Sequence, residues 1–163
     1  MEQGVNVEDF RRKLMLAFPP QPFCGLVSDH DECDEGIALL RELPRKRWDE
    51  IPTEFIDFNS GSLPLMLPDA VVAFLPAWLM RSVETFGGVD LGGEGVLSQF
   101  TMYFLCPGDE EDGWDDECIR WRVGLFNSAQ RSVIADFLRS IADCDELSGW
   151  HAWAEYGLRW WNT

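Results

Sequence analysis

The segment from Asp29 to Glu35 is the place where a histidine, a thiol and several carboxylates gather. His30 and Cys33 are three residues apart, so they would share a face if both lay in one helical turn. Imidazole and thiolate are ligands that zinc prefers, but zinc usually takes three or four protein ligands. Cys24 would be a third if the chain between them folds back. With two ligands local, the sequence favours an acidic helix N-terminus and no cofactor, and a zinc site at His30 and Cys33 is the alternative.

Nucleophilic catalysis finds little support in the sequence. The chain has two histidines, His30 and His151, and it lacks the GxSxG pattern of a serine hydrolase. Cys33 lies beside His30, but the carboxylates around a thiol disfavour the thiolate form that would act as nucleophile. We therefore expect a protein that is not an enzyme.

A second acidic cluster surrounds a tryptophan farther along the chain. It does not have the spacing of an EF-hand calcium loop. Its like charges repel each other unless a cation or a partner lies among them, whereas most charge runs are solvated loops. Aromatic residues are common interface anchors, so we predict a partner-binding surface. Its residues are Asp109, Glu110, Glu111, Asp112, Trp114, Asp115, Asp116 and Glu117.

The composition combines enough apolar residues for a folded core with a large excess of negative charge. The 163 residues carry a net charge of -16, are 46% hydrophobic and include eight tryptophans. Such a chain can bury enough apolar surface to fold, so the acidity belongs to a folded body. Negative charge opposes direct binding to nucleic acid or anionic membranes and favours encounter with a basic protein.

Location follows from the cysteines and the apolar runs. The five cysteines are an odd number at irregular spacing, no run reaches the 18 or so apolar residues of a membrane span, and the N-terminus lacks the order of a secretory signal. We expect a cytoplasmic protein that does not associate with membranes.

The first half of the chain is predicted to be helical. A helix over residues 6–17 begins at Asn6, and a second begins in the 29–35 cluster and ends before Pro44. Trp48 is expected to pack a single helical turn. A further helix covers residues 69–86, where Pro76 should kink or restart it.

The second half begins with two segments of weaker pattern. We predict that residues 87–95, with five glycines, form a mobile loop without the order of a phosphate cradle. Residues 96–105 suit a buried strand or a buried helix, and we favour the helix. The alternation from Ile119 to Leu125 predicts a short strand.

Two amphipathic helices follow. One is capped by Asn127 or Ser128, and the last runs from about Glu146 to Trp161. Along the last helix, tryptophans at helical spacing are usually core but could also form an exposed patch; Gly157 should allow a neighbouring helix to approach, and Trp161 should be exposed. The expected fold is mainly α, a compact single-domain helical bundle with at most a short two-stranded β element, and one acidic domain over residues 1–163.

Several landmarks of the chain resemble a family of small uncharacterised bacterial proteins. The matching pieces are spread in order over about 100 residues: His30-Asp31-Glu32-Cys33-Asp34-Glu35, Trp48-Asp49-Glu50-Ile51, Leu75-Pro76-Ala77-Trp78-Leu79 and Phe126-Asn127-Ser128-Ala129-Gln130-Arg131. The resemblance implies a mostly helical, cytoplasmic bacterial domain and no reaction. The insert around Trp114 and the tryptophan-rich tail lie outside it.

The chain is strongly acidic and shows no arrangement of catalytic residues, which leaves three hypotheses for its function. The leading one is a non-enzymatic acidic binding protein that engages a basic protein, as an immunity or inhibitor protein engages a toxin. One alternative is a DNA mimic that inhibits a nucleic-acid-binding enzyme, which would need carboxylates at the spacing of duplex phosphates. The other is metal binding through His30 and Cys33. The sequence leaves the oligomeric state open.

Overall fold

Helices dominate the computed structural model, which describes residues 5–86 and 96–163. Over these residues there are eight α-helices and one two-stranded antiparallel sheet, so the predicted mainly α fold with a short β element is confirmed. In chain order the elements are α1 (Val7–Ala17), α2 (Asp34–Glu42), α3 (Thr53–Phe58), α4 (Pro68–Phe86), α5 (Val96–Leu105), β1 (Gly108–Asp109), β2 (Gly113–Trp114), α6 (Asp116–Val123), α7 (Ser128–Ala142) and α8 (His151–Trp161).

Contacts within the chain separate two compact units. The terminal unit comprises Met1–Ala17 and Met102–Thr163, and the central unit comprises Phe18–Thr101. The expectation of one domain over residues 1–163 stays a prediction. The glycine-rich segment 87–95, predicted to be a mobile loop, lies outside the described residues.

In the terminal unit, α1 and α7 form where the sequence places their caps. The Asn6 side chain accepts a hydrogen bond from Asp9 N at 3.0 Å, and Asn127 and Gln130 form a reciprocal capping box at the start of α7. The two helices pack through Phe10 and Phe137, whose ring centroids are 6.3 Å apart. Both predicted helices are therefore confirmed.

Helix α8 packs on α7 through its glycine, as predicted. A Cβ on Gly157 would lie 2.9 Å from Cδ1 of Leu138 and closer still to Sγ of Cys106. The predicted end of the helix at Trp161 is confirmed, but the predicted start near Glu146 is wrong, because α8 begins at His151. A 3₁₀ segment, Asp145–Trp150, precedes α8, and Leu147 within it has φ -104° and ψ 24°, which interrupts the helix.

Trp161 is buried, so the prediction of an exposed Trp161 is wrong. Its side chain is 0% exposed, and its indole N–H donates to Leu105 O at 2.8 Å. The ring also meets Phe126 edge-on at 5.6 Å. From within the core, Trp161 therefore satisfies a backbone carbonyl at the C-terminal end of α5. The sequence pattern missed this role because Trp160, and not Trp161, falls on the predicted apolar stripe of the helix.

Residues 116–123 form the helix α6, and the predicted strand there is wrong. The Asp115 side chain accepts from Cys118 N at 2.9 Å, and acidic residues occupy the first turn while Arg120 and Arg122 occupy the last. This charge order matches the helix dipole. The buried residues of α6 are Ile119 and Val123, four apart as on one helical face. The alternation misled because Trp121, counted as apolar, is 56% exposed.

The central unit is built around α4. Its buried residues include Phe74, Leu75, Trp78 and Leu79, and the helix continues through Pro76 without a restart. The predicted turn at Trp48 is confirmed: residues Trp48–Glu50 form a 3₁₀ helix, and the buried indole N–H donates to Phe18 O at 2.8 Å.

Helix α5 settles the ambiguous segment 96–105 in favour of the predicted helix. Near the C-terminal end of α4, the buried Ser82 hydroxyl lies 3.2 Å from the Thr101 hydroxyl of α5, and it also donates to Trp78 O. A buried hydroxyl pair of this kind satisfies polar groups that would otherwise cost free energy in an apolar core.

Candidate functional site

The acidic cluster at residues 109–117 folds into a hairpin that leads directly into α6. Strands β1 and β2 pair Gly108 with Trp114 and Asp109 with Gly113. Both glycines have positive φ, +103° at Gly108 and +98° at Gly113, which L-residues rarely adopt. A Cβ on Gly108 would also lie 2.6 Å from Gly113 O. The glycines therefore allow a tight turn with Glu110, Glu111 and Asp112 at its tip. We call residues 108–117, which comprise this turn and the first residues of α6, the acidic hairpin.

Three of the carboxylates also serve the local fold. The Asp109 side chain accepts from Asp112 N across the turn, and Asp115 caps α6. Asp116 accepts a hydrogen bond from the Tyr156 hydroxyl at 2.9 Å. Burial, together with the bond to Asp116, raises the pKa of the Tyr156 phenol above its ordinary value. The bond between Tyr156 and Asp116 joins this segment to α8, and the other two bonds order it locally.

The hairpin carboxylates form no ion pair with Lys or Arg in the described part of the chain. Ion pairs elsewhere join Lys or Arg to carboxylates outside the hairpin, as in Arg81 with Asp57 at 2.7 Å and Lys13 with Asp136 at 3.1 Å. None of the ion pairs found among residues 5–86 and 96–163 includes a hairpin carboxylate. Six of the seven carboxylates are on exposed residues. The hairpin therefore keeps a concentrated negative charge.

Arg122 interacts electrostatically with Asp115 of the hairpin, but its hydrogen bonds go elsewhere. Its guanidinium donates to Phe104 O and, at 3.4 Å, to Tyr103 O, and it lies 4.3 Å from the centre of the Phe104 ring. Burial lowers the pKa of Arg122, while the charges of Cys118 and Asp115 oppose that shift. Arg122 therefore closes the C-terminal end of α5, where a cation is favoured. It attracts Asp115 electrostatically but forms no ion pair with it.

Trp114 is held on the protein by aromatic contacts. Its ring stacks on Tyr156, with centroids 4.2 Å apart and planes 11° from parallel, and it meets Trp153 edge-on at 5.0 Å. Trp114 is half-buried. It is a rigid part of the surface, which suits an anchor that must not lose side-chain freedom on binding.

Trp114 belongs to a larger aromatic group. Trp153 lies 5.0 Å from Tyr103 and 5.5 Å from Trp150, and Tyr103 lies 5.6 Å from Trp150. We call Tyr103, Trp114, Trp150, Trp153 and Tyr156 the aromatic cluster. Tyr103 is 41% exposed, and the three tryptophans are partly exposed.

Sequence analysis did not identify Tyr103 and Tyr156 as site residues. The three-residue spacing of Trp150, Trp153 and Tyr156 indicates one helical face and could have placed Tyr156 beside the tryptophans. No local signal pointed to Tyr103, because it meets these rings only through the tertiary fold.

The two candidate metal ligands do not lie in one helical turn, so the condition for a shared helical face is not met. Helix α2 begins at Asp34, with Cys33 as its N-cap; the Cys33 sulfur accepts from Gly36 N at 3.3 Å. His30 precedes the helix and lies 3.6 Å from an Asp29 oxygen. The Cys24 thiol contacts Pro22 O at 3.8 Å. In the described part of the chain no group of three or more His, Cys, Asp and Glu side chains is arranged to hold a metal ion, and zinc binding stays a prediction.

Comparison with known proteins found no match for the chain. No family model, curated protein or solved structure matches it. The resemblance to small bacterial proteins therefore stays a prediction. Across the described residues, no helix combines the length and apolar character needed to cross a membrane.

Proposed function

We propose that this protein is a non-enzymatic acidic binding protein of the immunity or inhibitor type, which engages a basic protein through the acidic hairpin. The observation that carries the proposal is a set of seven carboxylates, none of which forms an ion pair with a described Lys or Arg. They are Asp109 to Asp112 and Asp115 to Glu117. A cytoplasmic location and the bacterial family are part of the same proposal.

The charge acts first on the rate of encounter. A concentrated patch of one sign attracts a partner of opposite sign over about a Debye length, roughly 8–10 Å at physiological salt, and can raise the association rate constant by one to three orders of magnitude. Salt screens this attraction. The association rate should therefore fall steeply as ionic strength rises.

The contacts behind the hairpin support recognition by a prepared surface. Trp114 stacks on Tyr156, and the Tyr156 hydroxyl holds Asp116, so the backbone and one aromatic ring are already ordered. A partner meets these groups in place and does not have to order them on binding. An ordered hairpin also positions its charges relative to each other, which gives specificity beyond simple attraction.

The test compares two charge-matched variants in affinity capture from a lysate of the source organism, followed by association kinetics with the captured protein. The hairpin variant D109N/E110Q/E111Q/D112N removes four charges and leaves Asp115 and Asp116 with their structural bonds. The control variant D31N/E32Q/D34N/E35Q removes four charges from the central unit. We expect slower association and a flatter salt dependence for the hairpin variant only.

Two outcomes would contradict the proposal. An association rate at low salt that is unchanged in the hairpin variant would remove the hairpin as the contact surface. Capture of a nucleic-acid-binding enzyme that duplex DNA displaces competitively would favour the DNA-mimic alternative over recognition of a basic partner of the toxin type.

A further inference from the structure

The aromatic cluster offers a partly exposed surface beside the acidic hairpin. Trp153 lies at its centre, in edge or tilted contact with Trp114, Trp150 and Tyr103 at 5.0 to 5.5 Å. Edge-to-face packing leaves part of each ring face uncovered by its neighbours. The face of an aromatic ring carries a negative quadrupole and attracts cations.

Carboxylates contact this surface or lie close to it in the sequence. The hairpin contributes Trp114 itself, and the Tyr156 hydroxyl joins the cluster to Asp116. The 3₁₀ segment that ends at Trp150 begins with the exposed Asp145 and Glu146. The negative ring faces and the carboxylates favour the same ligand, a cation with an extended apolar or planar part.

The terminal unit already pairs arginines with aromatic rings. The Arg120 guanidinium lies 5.4 Å from the centre of the Trp160 ring, and that of Arg122 lies 4.3 Å from the Phe104 ring. Among the described residues, no Lys or Arg lies over Trp114, Trp150 or Trp153. These three rings are therefore available to a cation from outside the chain.

We infer that the aromatic cluster seats an arginine side chain of the basic partner, with the guanidinium on the faces of Trp150 and Trp153 and the acidic hairpin beside it. This inference rests on the proposed function and names the group that is recognised. A guanidinium is planar and weakly hydrated, so it stacks on indole rings and can also donate to carboxylates, whereas a lysine ammonium is a strongly hydrated point charge. Arginine and tryptophan are the residues most often found at the energetic centre of interfaces.

The test uses two peptide probes of equal charge, octa-arginine and octa-lysine, titrated into the full chain at low salt by calorimetry. We expect wild-type protein to bind octa-arginine about fivefold more tightly than octa-lysine, because each exposed cation–π contact adds a small increment. The variant W150L keeps apolar bulk but removes the ring and should abolish that preference. W150F keeps a ring and should retain part of it.

Trp121 provides the matched control. It is 56% exposed on α6 and lies outside the aromatic cluster, so W121L should leave the arginine preference unchanged. Thermal melts of each variant report whether the fold survives. If W150L does not fold, the indole N–H resonances of the wild-type protein replace it: octa-arginine should shift those of Trp150 and Trp153 and leave that of Trp121 unmoved.

The outcomes separate this inference from the proposed function. Equal binding of both peptides by wild-type protein, equal effects of W150L and W121L, or no shift at Trp150 and Trp153 would overturn the arginine seat. Each of these results leaves the hairpin proposal standing if D109N/E110Q/E111Q/D112N still loses its partner. If the hairpin variant keeps its partner while W150L loses the arginine preference, the proposed function of the hairpin is wrong. The binding of arginine by the aromatic cluster is then still supported.

Discussion

At the scale of single residues, Tyr156 connects the aromatic cluster to the acidic hairpin. Its ring lies under Trp114, and its hydroxyl donates to Asp116 at 2.9 Å. Burial is the largest cause of the raised pKa of its phenol, and the hydrogen bond to Asp116 adds to it, since both disfavour the phenolate. The folded protein therefore holds this proton more tightly than the unfolded chain does.

This linkage predicts a loss of stability at alkaline pH. The stabilisation from Tyr156 is fully present below about pH 10, the ordinary pKa of an unfolded tyrosine, and is lost as pH rises from there through the higher folded-state pKa. Y156F should remove this part of the alkaline decline and lower the free energy of unfolding at neutral pH by about 1 kcal/mol, the usual contribution of one hydrogen bond. Urea denaturation across pH measures both.

The chain has two tyrosines, so the titration can be isolated. In a Y103F background, tyrosinate absorbance reports Tyr156 alone, and its midpoint should lie above that of a free tyrosine. A midpoint at the ordinary value would contradict the buried, hydrogen-bonded phenol. Burial also raises the pKa of the Cys106 thiol, so Y156F should still show some alkaline decline.

At the scale of elements, α6 depends on a residue that also belongs to the candidate binding surface. The Asp115 side chain caps the helix by accepting from Cys118 N at 2.9 Å, and it is exposed to a partner. D115A should therefore lower the free energy of unfolding by about 1 kcal/mol, whereas D115N keeps a capping oxygen and should change it by only a few tenths. Chemical denaturation distinguishes the two.

The variants D115A and D115N also distinguish the effect of Asp115 on stability from its effect on binding. Both variants remove one negative charge, so both should slow association with a basic partner equally. N127A removes the cap of α7 and leaves the hairpin charge intact, so it should lower stability without slowing association. Equal stability of D115A and D115N would show that the carboxylate acts through its charge and not through the cap.

Local signals explain which elements were predictable. Asn6 and Asn127 are capping residues followed by helical periodicity, and both helices begin where these residues stand. Asp115 is an equally good cap, but it stood inside a charge run, and the alternation of Ile119, Trp121 and Val123 favoured a strand. Periodicity counts residues as apolar by type, and it cannot show that one of them faces solvent.

The candidate site was predictable in its charges and not in its surroundings. The acidic residues and Trp114 are contiguous in the sequence, so composition alone found them. Tyr103 joins Trp150 and Trp153 only after distant segments pack together. Trp161 shows the same limit, because its burial depends on Leu105 and Phe126 rather than on its own neighbours.

At the scale of the whole molecule, acidic residues are concentrated in exposed clusters that form few ion pairs with Lys or Arg in the described part of the chain. The net charge is -16, and each unit carries one exposed acidic cluster, residues 109–117 in the terminal unit and 29–35 in the central unit. Most described ion pairs join residues outside these clusters, such as Arg47 with Asp49 and Lys46 with Glu42. Like charges without partners repel each other, which opposes folding.

This distribution predicts that salt stabilises the isolated protein. At low ionic strength D109N/E110Q/E111Q/D112N should raise the free energy of unfolding by about 1 kcal/mol, since each removed charge relieves a few tenths of a kcal/mol of repulsion. The gain should vanish at high salt, where the same charges are screened. Thermal melts at both ionic strengths measure it. If the variant is less stable than wild type at low salt, the four carboxylates stabilise the fold. Their presence would then be explained by folding and would no longer support a binding surface.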